Sequence, residues 1–183
     1  MSKISPQKFR LKNGKWIVIR SVVKKDAKPL LEYVNQIGGE SDFLTFGGGE
    51  FKKTKTEEEK IIQEHLRAKN AVFIVAEMNK EIVGNLIASS KNKKRIEHVA
   101  DFGVSVKKDY WRMGIGEILI KTMVEWAKSS KIIRKINLVV MVHNKAAISL
   151  YKKMGFEIEG QLRRDNFIDG KFYDSYMMGL LIK

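Results

Sequence analysis

The 183 residues of this chain are enough for one domain with a substantial core and too few for two ordinary ones. Apolar residues make up 44%, which excludes extensive disorder, and the absence of cysteine excludes disulfides, thiol nucleophiles and thiolate metal sites. Lys and Arg number 35 against 21 acidic residues, a net charge of +14 that attracts polyanions, whether nucleic acid or a polyphosphate cofactor.

Residues 1–11 are polar and basic, without the apolar core of a signal peptide, and no apolar run approaches the length of a membrane span. A soluble cytoplasmic protein with one domain over 1–183 is therefore expected. His65, His98 and His143 are scattered and lack metal-ligand spacing.

The first expected strand covers 16–23, where Trp16, Ile17, Val18, Ile19, Val22 and Val23 are strong β-formers. Asp26 reads as the N-cap of a helix over 27–37, with Pro29 in its first turn and Gly38 and Gly39 at its end. The loop at 40–55 holds Phe43, Phe46 and Phe51 around three consecutive glycines. Its aromatics either tuck beneath it, the expected case because exposed aromatic clusters are costly, or line a binding site, where they could wall a groove for a peptide N-terminus. Thr56 with Glu59 reads as a capping box for a second helix, to about residue 68.

Residues 71–78 and 82–90 read as a hairpin around Asn79, Lys80 and Glu81, and a further strand spans 96–106. Lys91, Lys93, Lys94 and Arg95 lie between these strands without aromatic neighbours and read as a solvated tip. From 114 to 130, Ile115, Ile118, Leu119, Thr122, Met123 and Trp126 recur at helical spacing. Residues 135–142 read as a strand buried on both faces, Asn144 as the cap of a helix over 145–154, and 156–163 and 172–182 as a closing hairpin turned at Asp169 and Gly170.

Two stretches carry chemistry. In the first, strand, glycine turn and helix meet at Gly114 and Gly116. A helix start leaves several N–H groups unpaired at its positive end, and glycine lets a ligand approach them, so the turn can cradle pyrophosphate. It is neither a dinucleotide fingerprint, since position 119 is Leu119, nor a P-loop, since Glu117 and Ile118 follow Gly116. In the second, Asn144 and Tyr151 are seven residues apart and share one helix face.

Trp111, Arg112, Met113, Gly114, Ile115 and Gly116 resemble the Arg/Gln-x-x-Gly-x-Gly/Ala motif of the GNAT N-acetyltransferase superfamily, departing from it at Trp111. Asn144, Ala147, Tyr151, Gly155 and Phe156 resemble that family's second motif, and the element order follows the family over nearly the whole chain. The resemblance implies a mixed α/β fold of α+β type, with a central twisted sheet of about seven strands and about four helices in the order β-α-α-β-β-β-α-β-α-β-β. It implies acetyl transfer from acetyl-CoA to a primary amine by direct attack, without metal or covalent enzyme intermediate.

By the same resemblance, acetyl-CoA would be held by Val104, Ser105, Val106, Trp111, Arg112, Met113, Gly114, Ile115, Gly116, Glu117, Asn144, Tyr151 and Lys153, with Tyr151 as general acid. Asp101 is the candidate base, with Glu97 or a water chain as alternatives. The acceptor is expected to be a small molecule such as a polyamine, or a protein N-terminus. Glu40, Asp42, Glu50 and Glu57 to Glu59 are a candidate patch for a cationic amine, or ordinary helix capping. A homodimer is compatible with this reading, membrane is not implied, and nucleic acid is disfavoured. The alternative is a non-catalytic acyl-CoA-binding or basic nucleic-acid-binding regulatory domain on the same fold.

Overall fold

A computed structural model describes residues 3–183. The elements are β1 (Gln7–Arg10), β2 (Trp16–Ser21), α1 (Ala27–Gly38), α2 (Lys55–Arg67), β3 (Ala71–Met78), β4 (Glu81–Ser90), β5 (Val99–Val106), α3 (Ile115–Ser130), β6 (Lys135–Met141), α4 (Lys145–Lys153), β7 (Glu157–Ile168) and β8 (Lys171–Leu181). They build one sheet in the order β1-β2-β3-β4-β5-β6-β8-β7. Every neighbouring pair is antiparallel except β5 and β6.

This is the expected mixed fold with eight strands. The additional strand, β1, lies in the polar N-terminal stretch, and of its own four residues only Phe9 is apolar, so no alternation marks it. It forms because its backbone completes a ladder with β2, from Gln7 opposite Ile19 to Arg10 opposite Trp16. The strand expected from residue 96 starts at Val99, because residues 94–98 form turns, and β7 runs on to Ile168. Asn79 with Lys80, and Asp169 with Gly170, take positive φ at both positions, as a two-residue hairpin turn requires.

Two caps differ from expectation. The N-cap of α2 is Thr54, whose Oγ1 accepts from Glu57 N–H at 3.3 Å while Glu57 Oε2 accepts from Thr54 N–H at 2.7 Å. The capping box thus sits one half-turn before the Thr56 and Glu59 pair; Thr-x-x-Glu occurs at both spacings, and the chain enters the helix at the earlier one. Asp26 makes no side-chain cap. Its carboxylate is buried against the Arg20 guanidinium, at 2.6 and 3.0 Å, and also accepts from Val23 N–H. Arg20 further binds Glu77, and its hydrogen bonds to both carboxylates, Asp26 first, outweigh burial and raise its pKa.

Alternate residues of each strand feed two cores. On one sheet face Val72, Ile74, Ala76, Leu86 and Ala100 pack under Ile115, Leu119, Met123 and Trp126 of α3 and Ile148 of α4. On the other, Phe73, Val75 and Ile82 pack under Leu30, Tyr33 and Ile37 of α1 and Ile62 of α2. Coverage on both faces explains the unbroken apolar run of β3.

The parallel junction positions the site. β5 and β6 pair only from Val99 opposite Lys135 to Asp101 opposite Asn137. Beyond that point β5 pairs with β4 alone and β6 with β8 alone. The two strands therefore fork, and the C-terminal half of β5 presents an unpaired edge to the opening.

Candidate active site

Lys107 N–H donates to the Val83 carbonyl at 3.0 Å. Strand alternation then turns the amide groups of Phe102, Val104 and Val106 away from β4, the first toward the paired part of β6 and those of Val104 and Val106 into the fork. The Val106 carbonyl is taken by the Trp111 indole N–H at 2.7 Å. That bond ties the following turn to the end of β5, a structural use for the residue that departs from the Arg/Gln motif. The side chains of Phe102, Val104 and Val106 rest on the α3 core. Ser105 points to the opposite face, bonded to the Tyr33 hydroxyl at 2.8 Å and to Asn85 Oδ1 at 2.6 Å.

After β5 the chain turns through Arg112 at φ +62° and Gly114 at φ +92° into α3. The first helix-closing bond is Ile118 N–H to the Gly114 carbonyl. Among the described residues, the N–H groups from Arg112 to Glu117 have no acceptor, and Gly114 gives no side-chain cap. A Cβ at Gly103 or Gly114 would meet nothing within 4 Å, and one at Gly116 would make only ordinary contact with Leu150 at 3.5 Å. Protein packing therefore does not require the bare backbone of Gly103 and Gly116, while φ does require it at Gly114. Unpaired donors at a helix N-terminus beside open space fit a pyrophosphate.

Asn144 does cap α4, its Oδ1 accepting from Ala147 N–H at 3.1 Å. Tyr151 is 9% exposed, on the same helix. Its ring stacks edge-on to Phe102 at 6.0 Å and Phe156 at 5.8 Å, which sets it beside the strand that opens into the fork. Burial pushes its phenol up to about 12, so it is protonated throughout the neutral range. Its hydroxyl makes no hydrogen bond with the described residues.

Glu117 and Lys153 meet each other at 2.7 Å, joining the start of α3 to the end of α4, and Lys121 binds the second Glu117 oxygen at 2.8 Å. Hydrogen bonds from Lys121 and then Lys153 hold the carboxyl down at about 2. Two cations thus neutralise the one acid beside the unpaired N–H groups. Arg112 is exposed on the turn and Met113 Sδ accepts from Asn13.

Asp101 is exposed at the fork, on the face opposite α3, without hydrogen bond or ion pair among the described residues. Its register partner Asn137 has a buried Oδ1 with no partner among the described residues, an orphaned acceptor at the same point. Glu97 stands in the turn before β5, at the closed end of the junction, and does not join the group.

The acidic patch is largely spent on structure. Glu40 accepts from Lys108 N–H at 2.7 Å and from Gln36, Glu50 accepts from Gly47 N–H, and Glu57 completes the α2 cap. Glu58 is buried, which raises its pKa, and Glu59 pairs with Lys24 and Lys55. Asp42 is the exposed member left without a partner among the described residues. Of the loop aromatics, Phe46 tucks against the α1–α2 core with Phe51 beside it at 5.4 Å, while Phe43 is 40% exposed and meets His143 at 5.3 Å. His143 in turn meets Tyr173 at 4.8 Å. Sequence reading offered the loop of Phe43 as a possible wall for a peptide acceptor but missed its ring partners His143 and Tyr173, which come from two other segments.

Residues 41–156 match the family described as the acetyltransferase (GNAT) family. The chain is 35% identical over 105 residues to the L-amino acid N-acetyltransferase AaaT of Escherichia coli K12, a match covering 57% of this chain and 65% of that protein, slightly under two thirds. It is 33% identical over 123 residues to an N-alpha-acetyltransferase of Sulfurisphaera tokodaii, covering 63% and 72%. A GNAT-family acetyltransferase structure from Streptococcus pneumoniae superposes with a TM-score of 0.89 at 35% identity, over 91% of this chain and 99% of that one.

Proposed function

The chain belongs to the acetyltransferase (GNAT) family, whose co-substrate is acetyl-CoA, and on that premise we propose that it transfers an acetyl group directly to a primary amine entering the β5–β6 fork from the α1–α2 side. The observation that carries this reading is the run of acceptor-less N–H groups from Arg112 to Glu117 at the mouth of the fork. Met113, Gly114, Ile115 and Gly116 would hold the pyrophosphate through backbone N–H, with Arg112 beside it. Asn144 and Lys153 would flank the rest of the cofactor on α4.

When bound, acetyl-CoA supplies an activated acyl group. The residues of this chain do the rest. Val104 and Val106 N–H, aimed into the fork, donate to the carbonyl oxygen as charge grows there. Tyr151 O–H, kept protonated by burial, donates to the departing sulfur. Asp101 on the open face takes the ammonium proton, directly or through water.

The acceptor most consistent with the site is an α-amine, on a free amino acid or a peptide N-terminus. Glu59 is neutralised by Lys24 and Lys55 and Glu58 is buried, while Glu40, Glu50 and Glu57 keep their charge but are held in place by N–H donors, so Asp42 is the member free to reach along an extended polyamine. Two relatives named for L-amino acid and N-alpha acetylation are in keeping with this. The test is calorimetric titration with acetyl-CoA, followed by coenzyme A release across amino acids, short peptides and polyamines. Absence of acetyl-CoA binding would overturn the reading, and release only with an alcohol would remove the amine.

A further inference from the structure

The face of the sheet that receives the acceptor is not bare by accident of size. α1 and α2 cover β3 and β4 on this side, and they leave β6, β8 and β7 uncovered. Register assigns Val139, Met177 and Leu162 to this one face, because Val139 lies opposite Met177 and Leu162 opposite Ser175, two residues along β8. These three are 55%, 38% and 36% exposed. Apolar side chains of adjacent strands on one open face mark a binding surface more than scattered exposure does.

One end of this floor is walled. Tyr173 belongs to the same face of β8, and His143 stacks on it, with Phe43 on the far side of His143. Phe43 reaches that position across a short strap. Glu40, three residues earlier, is fixed to Lys108 N–H just past the end of β5. His143 stands just past the end of β6. Three residues extend at most about 10 Å, so the strap from Glu40 to Phe43 passes from one lip of the fork to the other over the acceptor side. It carries Asp42, and Asp101 stands at the fork itself; neither has a partner among the described residues.

We propose that Phe43, His143 and Tyr173 form the specificity-determining wall of the acceptor site, and that it selects an α-ammonium whose neighbouring side chain is apolar or aromatic. The inference rests on the acetyl-transfer reading above. The chemistry is complementary on both counts: Asp42 and Asp101 match the ammonium, while the rings and the Val139, Met177 and Leu162 floor match an apolar flank and give an extended polycation little to bind. One apolar contact of this kind sets discrimination of about tenfold or more. Transfer balances without further reagents. The ammonium gives one proton to Asp101 or water, its nitrogen bonds the acetyl carbon as the carbon–sulfur bond breaks, and the second nitrogen proton ends on the sulfur.

The experiment compares L-phenylalanine, a tripeptide beginning with Phe, glycine and spermidine as acceptors for wild type, Phe43→Ala, Phe43→Leu and Tyr173→Ala. Acceptor affinity is also measured calorimetrically with coenzyme A present, and acetyl-CoA affinity without acceptor. The wall predicts that a Phe-bearing acceptor exceeds both glycine and spermidine in kcat/KM by about tenfold or more. It further predicts that Phe43→Ala and Tyr173→Ala raise the KM and Kd of that acceptor by about tenfold while kcat stays within about twofold. Phe43→Leu keeps an apolar contact and should lie between. Preference for the free amino acid or for the peptide identifies the source of the amine, and either supports the wall. Spermidine or glycine as the best acceptor, or variants that change every acceptor alike, would overturn it. Loss of acetyl-CoA binding by the wild type would instead strike the underlying activity, so the two failures are separable.

Discussion

Asp101 of β5 and Asn137 of β6 are the last residues paired across the single parallel junction of the sheet, and the site begins one residue beyond them. Past this pair the β5 amides have no strand partner on one side. An unpaired strand edge inside a protein is costly unless something else takes its hydrogen bonds. Here the Trp111 indole satisfies one of them, at the Val106 carbonyl, and leaves the N–H groups of Val104 and Val106 for a ligand. The same fork puts the orphaned Asn137 Oδ1 next to Asp101, so donors and acceptors stand ready at both the cofactor edge and the acceptor face.

Gly114 tests the cradle. Its φ of +92° disfavours any side chain, and the space beside it is open. Gly114→Val should therefore abolish acetyl-CoA binding by calorimetry and also lower Tm. Gly116→Val separates the two effects, because its backbone is not strained and an added Cβ meets only Leu150 at an ordinary distance. It should retain Tm within a few degrees and still lose at least about tenfold in acetyl-CoA affinity, the scale of one lost charge-assisted contact. Unchanged affinity in Gly116→Val would move the pyrophosphate elsewhere.

Tyr151→Phe removes a hydroxyl that bonds nothing among the described residues and keeps the ring contacts with Phe102 and Phe156. Stability should hardly change. Turnover should fall by about a hundredfold, the usual worth of a positioned acid, while acetyl-CoA affinity stays within about twofold. Steady-state kinetics beside calorimetry checks both. A variant as active as wild type would return Tyr151 to packing alone.

Glu117 carries a pH signature. Its carboxyl, held at about 2 by Lys121 and Lys153, titrates near 4.3 when unfolded. The native state therefore binds fewer protons between those values. The pairing contributes its full stability above about pH 4.5, and that contribution is lost as pH falls from there toward 2. Both lysines are more than 60% exposed, so solvent screening keeps the effect small. Glu117→Gln should lower Tm by about 1–3 °C at pH 6 and leave it nearly unchanged at pH 2. An equal loss at both pH values would show that the ion pairs do not contribute.

The sequence made the cofactor side legible and the acceptor side much less so. Glycine at 114, helical spacing after it, and the Asn144 and Tyr151 pair are local signals, each read within a single segment. The fold followed from the same periodicities, except where β1 offered one apolar residue and the ladder alone made the strand. Acceptor-side features are products of tertiary register. Glu40 looks like one member of an acidic patch until Lys108, 68 residues away, claims it. Phe43, His143 and Tyr173 lie in a loop, a turn and a strand that no period connects. Asp26 failed as a helix cap for a related reason, since Arg20 offered its buried carboxylate a stronger, charged partner.

Glu40 offers a test of the strap without touching its rings. Its Oε2 accepts from Lys108 N–H at 2.7 Å and its Oε1 from Gln36, so the residue links the end of α1 to the exit of β5. Glu40→Ala leaves the Lys108 N–H to water and releases one end of the segment that carries Asp42 and Phe43. Because the bond lies at the surface, between an exposed Lys108 and a half-buried Glu40, its loss should cost only about 0.5–1.5 kcal/mol of stability. The larger effect should be on acceptor binding, since a loosened strap must be ordered again each time an amine binds. The expected result is a severalfold rise in acceptor KM, acetyl-CoA affinity within about twofold of wild type, and faster hydrogen exchange at the Lys108 amide. Unchanged KM alongside faster exchange would show that the strap is held from the Phe43 end alone, by its contact with His143.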